Sequence, residues 1–122
     1  MSDQKEVLVR ELSDNYVLIT GGTSGIGFAS AREFAKQGAP KVAINGRHKG
    51  RGEAAVKKLR EEFPDKTFSL QLADVTDVSA VKKMVSAVEQ EFGRIDTLVS
   101  AAGGNFPPVL FHKLPIEEIQ DV

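Results

Sequence analysis

Apolar and polar positions along the 122-residue chain alternate between two kinds of segment. Four short runs are rich in apolar or β-branched residues and predict strands: Tyr16–Thr20, Lys41–Asn45, Thr67–Leu72 and Thr97–Ser100. The intervals between these runs carry apolar residues at steps of three and four, as between Val78 and Phe92, and this spacing predicts helices. Strands and helices in this rhythm predict βαβ units, and therefore an α/β fold with a parallel sheet.

The runs differ in a way that predicts their order in the sheet. The first two, Tyr16–Thr20 and Lys41–Asn45, contain continuous apolar triplets, as expected for strands that are covered on both faces. The third run, Thr67–Leu72, alternates strictly between polar and apolar residues, which is typical of a half-solvated edge strand. With right-handed crossovers, these patterns predict a doubly wound, Rossmann-type sheet with the strand order 3-2-1-4.

The last part of the chain predicts a loop over Gly103–Pro108 and a new helix from about Pro115. The sequence stops within that helical pattern, so we expect a truncated single domain over residues 15–122, preceded by an N-terminal arm over residues 1–14. The strands that would follow are then missing. The fourth strand, Thr97–Ser100, is therefore expected to be an unpaired edge, and the chain is expected to self-associate.

Composition and charge narrow the class of protein. Apolar residues make up 41% and charged residues 27%, which is typical of a soluble globular chain. Sixteen basic and seventeen acidic residues give a net charge of −1, which argues against binding to nucleic acid or to a membrane surface. No cysteine is present, and His48 and His112 have no partner at metal-ligand spacing. No signal peptide is visible, so a cytoplasmic protein is the default expectation.

The segment TGGTSGIG, directly after the first predicted strand, is the strongest candidate for a binding site. Its three glycines, in the spacing G-x-x-x-G-x-G, are Gly21, Gly25 and Gly27. Such glycines let the chain turn tightly, let a phosphate approach the backbone, and let the next helix pack closely on the strand. The helix N-terminus then presents free N–H groups to the anion. Thr23 and Ser24 add hydroxyl donors, or cap the helix. The alternative is an ordinary glycine-rich turn.

The ends of the other three predicted strands are consistent with a dinucleotide site. Arg47 follows the second strand without a carboxylate beside it, and a guanidinium suits a 2′-phosphate, which favours NADP(H) over NAD(H). A solvated arginine is the alternative. Asp74 follows the third strand, where it can accept the adenine amino group or cap a helix that begins at about Thr76. The small residues of Ser100–Gly103 leave room for the nicotinamide ribose, or simply form a tight strand exit.

Taken together, TGGTSGIG, NGR, DVT and LVSAAG, in this order on successive strand ends, resemble the short-chain dehydrogenase/reductase family. The resemblance covers about residues 15–122. It implies hydride transfer between a nicotinamide cofactor and a small-molecule substrate, either an alcohol or ketone or an oxoacyl compound. Intact relatives are often homo-oligomers. By matching position, the resemblance implies pyrophosphate contacts at Gly21, Gly25, Ile26 and Gly27, a 2′-phosphate contact at Arg47, adenine contacts at Asp74 and Val75, and nicotinamide-side contacts at Ala101, Ala102 and Gly103.

The sequence departs from the family pattern in two places. The family usually has Asn-Asn-Ala-Gly after the fourth strand, whereas this chain has Ser100–Gly103, so that loop is expected to be held differently. The family's catalytic serine, asparagine and Tyr-x-x-x-Lys lie beyond the helix that begins near Pro115. The only tyrosine, Tyr16, falls inside the first strand, where we expect it to pack in the core.

These departures leave the chain without an assigned catalytic residue, and we expect it to be inactive alone. The alternative to an oxidoreductase is a catalytically inactive nucleotide-binding or interaction module. A sugar-nucleotide epimerase is disfavoured, because those relatives resemble G-x-x-G-x-x-G in the first loop.

Overall fold

The computed structural model describes residues 13–23, 25–101 and the strand 109–112. Strands and helices alternate along them, as the hydrophobic pattern predicts. The elements in chain order are β1 (Tyr16–Thr20), α1 (Gly25–Lys36), β2 (Lys41–Gly46), α2 (Lys49–Glu62), β3 (Thr67–Leu72), α3 (Val78–Phe92), β4 (Thr97–Ser100) and β5 (Val109–His112).

The strands form one sheet in the order β3-β2-β1-β4-β5. The first four are parallel, so the predicted order 3-2-1-4 is confirmed. Ile19 in the central strand β1 lies opposite Ile44 of β2 and Val99 of β4, which aligns the carboxyl ends of these strands. In an open parallel sheet, that edge is where ligands bind.

The fourth strand is not an unpaired edge, so this expectation was wrong. β5 pairs with β4 in antiparallel orientation, with Thr97 opposite His112 and Ser100 opposite Val109. An antiparallel return needs only a short connection, whereas another parallel strand would need a long crossover. The expected self-association rested on a free β4 edge and loses that basis. The predicted loop over 103–108 and the helix from Pro115 lie outside the described residues.

The two faces of the sheet are covered by different helices, as a doubly wound fold requires. Residues Val17 and Ile19 of β1 pack with Ala31 and Ala35 of α1 and with Leu59 of α2. The opposite face is covered by α3, whose buried residues, Met84, Val85, Val88 and Phe92, pack against Leu18, Ala43 and Leu98. Alternate residues of β1 are therefore buried on opposite faces, which explains its continuous apolar sequence.

β3 is an edge strand, as its alternating pattern predicts, but its polar side is not simply solvated. Ser69 is buried, and its hydroxyl donates a 2.8 Å hydrogen bond to the carboxylate of Glu91 on α3. The outer side is partly occupied by Arg60, whose guanidinium donates to the carbonyl oxygen of Phe68 at 3.1 Å. A side chain on an edge carbonyl is one way in which proteins block unwanted strand pairing.

Tyr16 packs at the amino end of the sheet, as expected for a structural residue. Its ring meets that of Phe92 edge-on at 6.2 Å, and the guanidinium of Arg94 stacks on it at 4.0 Å. Arg94 also donates to both carboxylate oxygens of Asp96, which in turn accepts the backbone N–H of Tyr16. This cluster lies at the opposite end of the strands from the glycine-rich loop. Within the described part of the chain, no helix is long and apolar enough to cross a membrane.

Candidate dinucleotide-binding site

The glycine-rich loop after β1 depends on backbone conformations that other residues adopt only with strain. Gly21 has φ of 70° and Gly25 has φ of 57°, both in the left-handed region. Gly21 turns the chain out of the strand, and Gly25 begins α1. The first two glycines of the motif are therefore explained by the turn itself.

Gly27 is required by a close backbone approach. A Cβ atom at this position would lie only 1.9 Å from the carbonyl oxygen of Gly21, so the first turn of α1 presses directly on the start of the loop. The prediction that the third glycine allows close helix–strand packing agrees with this geometry.

Gly22, which was not among the predicted site residues, is a second packing glycine. A Cβ atom there would lie 2.8 Å from Cβ of Ile44, and the Gly22 N–H donates to the carbonyl oxygen of Asn45 at 2.8 Å. The loop is thus held against β2. The doublet Gly21-Gly22 was the available signal in the sequence.

Thr23 lies over the end of β2 rather than standing free. A Cβ atom at Gly46 would be 2.5 Å from the Thr23 methyl group and 2.7 Å from its hydroxyl oxygen. The glycine at the end of β2 therefore makes room for the loop. Ser24, predicted as a second hydroxyl donor, lies outside the described residues.

The outer side of the loop is open. A Cβ atom at Gly25 would meet no atom within 4 Å among the described residues, and Ile26 is 64% exposed. No acidic residue occupies the first turn of α1. The first N–H groups of a helix have no partner within the helix, and the dipole places partial positive charge there. A helix start without acidic side chains, at which Gly25 faces open space among the described residues, is suited to an anion.

Asn45, which was not predicted as a site residue, connects this loop to the neighbouring strands. The side chain is 2% exposed. Its Oδ1 atom accepts the Gly21 N–H at 3.3 Å, and its Nδ2 atom donates to the carbonyl oxygens of Gln71 and Ala73 at 3.1 and 3.0 Å. One amide thus holds the ends of β1 and β3 to β2. A polar residue inside an apolar strand was the only available signal.

Arg47 and Asp74 are both exposed, at the tips of β2 and β3. Oδ1 of Asp74 accepts hydrogen bonds from the backbone N–H and the hydroxyl of Thr76, at 2.9 and 2.7 Å. These bonds lower the pKa of Asp74 below its usual value; burial opposes the shift, and the positive charge of Arg47 adds to it. The carboxylate is therefore ionised near neutral pH and lies within the electrostatic influence of Arg47.

The helix-capping alternative for Asp74 was wrong. α3 begins at Val78 rather than at about Thr76, and its cap is Asp77, whose Oδ1 accepts the N–H of Ala80 at 3.2 Å. Asp74 instead closes a turn on Thr76, a local bond that aspartate forms readily.

The end of β4 is tied to the start of the glycine-rich loop. The N–H of Ala101 donates to the carbonyl oxygen of Thr20 at 3.0 Å, and the Thr20 hydroxyl donates to the carbonyl oxygen of Val99 at 3.4 Å. Ala102 and Gly103 lie outside the described residues. The structure therefore brings the described candidate residues together at the carboxyl ends of the four parallel strands. No group of acidic residues and histidines suited to a metal ion occurs in the part of the chain that the structure describes.

Comparison with known proteins identifies the family. The sequence profile of the short chain dehydrogenase family matches residues 15–122, which is most of the chain. The chain belongs to this family of oxidoreductases, whose members bind nicotinamide cofactors.

Individual relatives agree with this assignment. The chain is 33% identical to a 3alpha-hydroxysteroid dehydrogenase from Mediterraneibacter gnavus, over 91% of this chain and 44% of that protein. It is 44% identical to a peroxisomal 2,4-dienoyl-CoA reductase from Arabidopsis thaliana, over 73% of this chain and 29% of that protein.

Among solved structures, the chain resembles an NADPH-bound short chain oxidoreductase from Pseudomonas aeruginosa described as having an atypical catalytic center. The TM-score is 0.68 and the identity 34%, over 70% of this chain and 33% of that one. The chain therefore spans less than half the length of these relatives.

Proposed function

We propose that the complete protein is an NADP(H)-dependent oxidoreductase, and that this chain holds the cofactor. The observation that carries the proposal is that the start of α1, which has no acidic residue in its first turn, and the exposed Arg47 lie at the same end of the parallel strands. The family supplies the reaction class, because its members are dehydrogenases and reductases.

The described residues fit the cofactor in chemistry as well as in placement. The N–H groups at Gly25, Ile26 and Gly27 would hold the pyrophosphate, since a Cβ at Gly25 meets no atom of the described residues within 4 Å and Ile26 is exposed. Asp74, with Val75 beside it, would accept the adenine amino group. Both Thr76 bonds end on Oδ1, and Oδ2 has no hydrogen-bond partner within residues 13–23 and 25–101.

Arg47 is the basis for choosing NADP(H) over NAD(H). A guanidinium forms strong, charge-assisted hydrogen bonds to a phosphate, whereas a cofactor that ends in a 2′-hydroxyl is better served by a carboxylate at this strand tip. Lys49 and Arg51, in the first turn of α2, which follows directly, are also exposed. The chain thus offers positive charge where the 2′-phosphate would lie.

The bound nicotinamide would supply hydride transfer, and this chain's part is to bind and orient it. Ala101, together with Ala102 and Gly103, would border the nicotinamide side, where small side chains leave room. We propose a small alcohol, ketone or oxoacyl compound as substrate. The name of the 3alpha-hydroxysteroid dehydrogenase among the relatives supports the alcohol or ketone class, and that of the 2,4-dienoyl-CoA reductase supports an acyl thioester. A homo-oligomeric enzyme follows from the same family resemblance.

The test is a reversal of charge at Arg47 in the complete protein. Arg47→Asp should lower kcat/KM for NADPH by about tenfold to a hundredfold, the loss expected for charge-assisted hydrogen bonds, and leave that for NADH equal or higher. The matched control is Lys57→Asp, an identical change of charge at an exposed position on α2, about 12 Å along the helix from its start. It should leave the NADPH-to-NADH ratio unchanged.

Two results would contradict the proposal. An unchanged ratio in Arg47→Asp would remove the NADP(H) preference. Cofactor binding by the complete protein without turnover of any alcohol, ketone or oxoacyl substrate would instead favour the nucleotide-binding module.

A further inference from the structure

The buried amide of Asn45 connects two loops that the proposed function places on different parts of one cofactor. Gly21 begins the loop assigned to the pyrophosphate, and Ala73 immediately precedes Asp74, which is assigned to the adenine. The Asn45 side chain accepts a hydrogen bond from the N–H of Gly21 and donates one to the carbonyl oxygen of Ala73. It is too deeply buried to touch the cofactor itself, being 2% exposed.

The orientation of this amide is determined by its partners. Nδ2 faces two carbonyl oxygens, of Gln71 and Ala73, and uses both of its N–H groups on them. Oδ1 faces an N–H group, that of Gly21. If the amide were rotated by half a turn, its NH2 group would face the N–H of Gly21, and its oxygen would face the carbonyl oxygens of Gln71 and Ala73. Only an asparagine in this orientation satisfies all three groups at once.

Backbone hydrogen bonds bring the same loops to β2, and the amide completes them. The Gly22 N–H donates to the carbonyl oxygen of Asn45, and the Ala73 N–H donates to that of Gly46 at 3.2 Å. The second bond is longer than the first, and it lies where the β2–β3 register ends, at Gly46 opposite Leu72. Beyond this point, the side chain of Asn45 is what holds the carbonyl of Ala73 to β2.

We propose that Asn45 is a positioning residue that sets the spacing between the pyrophosphate loop and the adenine loop. The inference rests on the proposed function, because it assigns the two loops to one cofactor. Loss of the amide leaves each loop held to β2 by its backbone hydrogen bond alone, so the distance between the two loops is less tightly fixed. Because pyrophosphate and adenine occur in both NADPH and NADH, both cofactors should bind more weakly by a similar factor.

The experiment compares the dissociation constants of NADPH and NADH for the complete protein, well below its unfolding temperature. The principal variant is Asn45→Asp, which keeps the shape but places a carboxylate oxygen against two carbonyl oxygens. Asn45→Ser, a smaller change that admits water, serves if the first variant does not fold. A displaced loop loses hydrogen bonds to the charged pyrophosphate, and the loss of one such bond weakens binding by about tenfold or more, so we expect at least about tenfold weaker binding of both cofactors.

The matched control is Thr97→Val, at the amino end of β4. Thr97 is as buried as Asn45, at 4% exposed, and its hydroxyl donates to Oδ1 of Asn15 at 2.6 Å. This variant should lose stability without loss of cofactor affinity, because it lies at the far end of the sheet.

Three outcomes overturn the inference, and they differ from one another. If the Asn45 variants unfold more easily but bind both cofactors within about twofold of wild type, the residue is only structural. If NADPH binding falls and NADH binding does not, Asn45 acts on the 2′-phosphate and not on the spacing. If the wild-type protein binds neither cofactor, the proposed function fails, and the role of Asn45 fails with it.

Discussion

Replacing Gly27 by alanine tests the close contact on which the geometry of the glycine-rich loop depends. The added Cβ would lie 1.9 Å from the carbonyl oxygen of Gly21, 2.6 Å from its carbonyl carbon and 2.9 Å from Cα of Gly22. All three are backbone atoms, so no change of rotamer relieves the contact. Real Cβ atoms essentially never come closer than 3.0 Å, so helix and loop must separate by at least 1.1 Å (3.0 minus 1.9).

Two energies oppose each other in this substitution. Alanine at a helical position is favoured over glycine by about 1 kcal/mol. Overpacking of a tight contact costs about 1–3 kcal/mol, and an immovable backbone partner places Gly27 at the upper end of this range. We therefore expect Gly27→Ala to lower the free energy of unfolding by about 2 kcal/mol. A loop displaced by about 1 Å should also lose hydrogen bonds to the pyrophosphate and bind the cofactor at least about tenfold more weakly.

The assay is urea unfolding of the complete protein together with titration by NADPH, and the control is Gly93→Ala. Gly93 ends α3 with φ of 95°, and a Cβ there meets no atom within 4 Å among the described residues. Alanine in the left-handed region costs about 1–2 kcal/mol, so the control loses comparable stability but should keep its affinity. If Gly27→Ala changes stability by less than about 0.5 kcal/mol and binds NADPH normally, the close approach does not exist.

Two further predictions concern charged groups away from the candidate site. The hydrogen bonds from Arg32 lower the pKa of Glu62 below its usual 4.5. Wild type should therefore have a higher free energy of unfolding than Glu62→Gln at pH values above 4.5. This difference should be lost as the pH falls through the lowered pKa, and should shrink in high salt; urea midpoints that differ equally at all pH values would refute it. Arg94→Lys should lower the urea midpoint more than Arg32→Lys does. The Arg94 guanidinium bonds the buried Asp96 through Nε and Asp14 through Nη2 while it stacks on the Tyr16 ring, and a lysine ammonium cannot do all three; Arg32 and Glu62 are both exposed. The NADPH affinity of Arg94→Lys should be unchanged, and weakened binding would contradict the location of this cluster at the amino end of the sheet.

Elements with a strong local signal were predictable from the sequence. The apolar triplets of β1 and β2 and the alternating pattern of β3 indicated both the strands and their order. The glycine spacing indicated the turn at Gly21 and the contact at Gly27. In each case, the structure follows from a local property of the sequence: the hydrophobic pattern of a strand, or the backbone conformation and small size of a glycine.

Features that depend on contacts between distant segments were missed. β5 is defined by its pairing with β4 rather than by its own short sequence, in a region that the turn signals of two prolines dominate. Asn45 is separated from its partners Gly21 and Ala73 by 24 and 28 residues, so no local pattern reveals the amide network. Asp74 was wrongly offered as a helix cap because α3 begins two residues later than predicted, at Val78, where Asp77 is the cap.

A crystal structure of the complete protein with NADPH tests the central claim most directly. The account predicts the pyrophosphate at the N–H groups of Gly25–Gly27, the 2′-phosphate at Arg47, and the adenine beside Asp74, with the bonds of Asn45 intact. Cofactor bound at the amino end of the sheet, or a 2′-phosphate remote from Arg47, would contradict it.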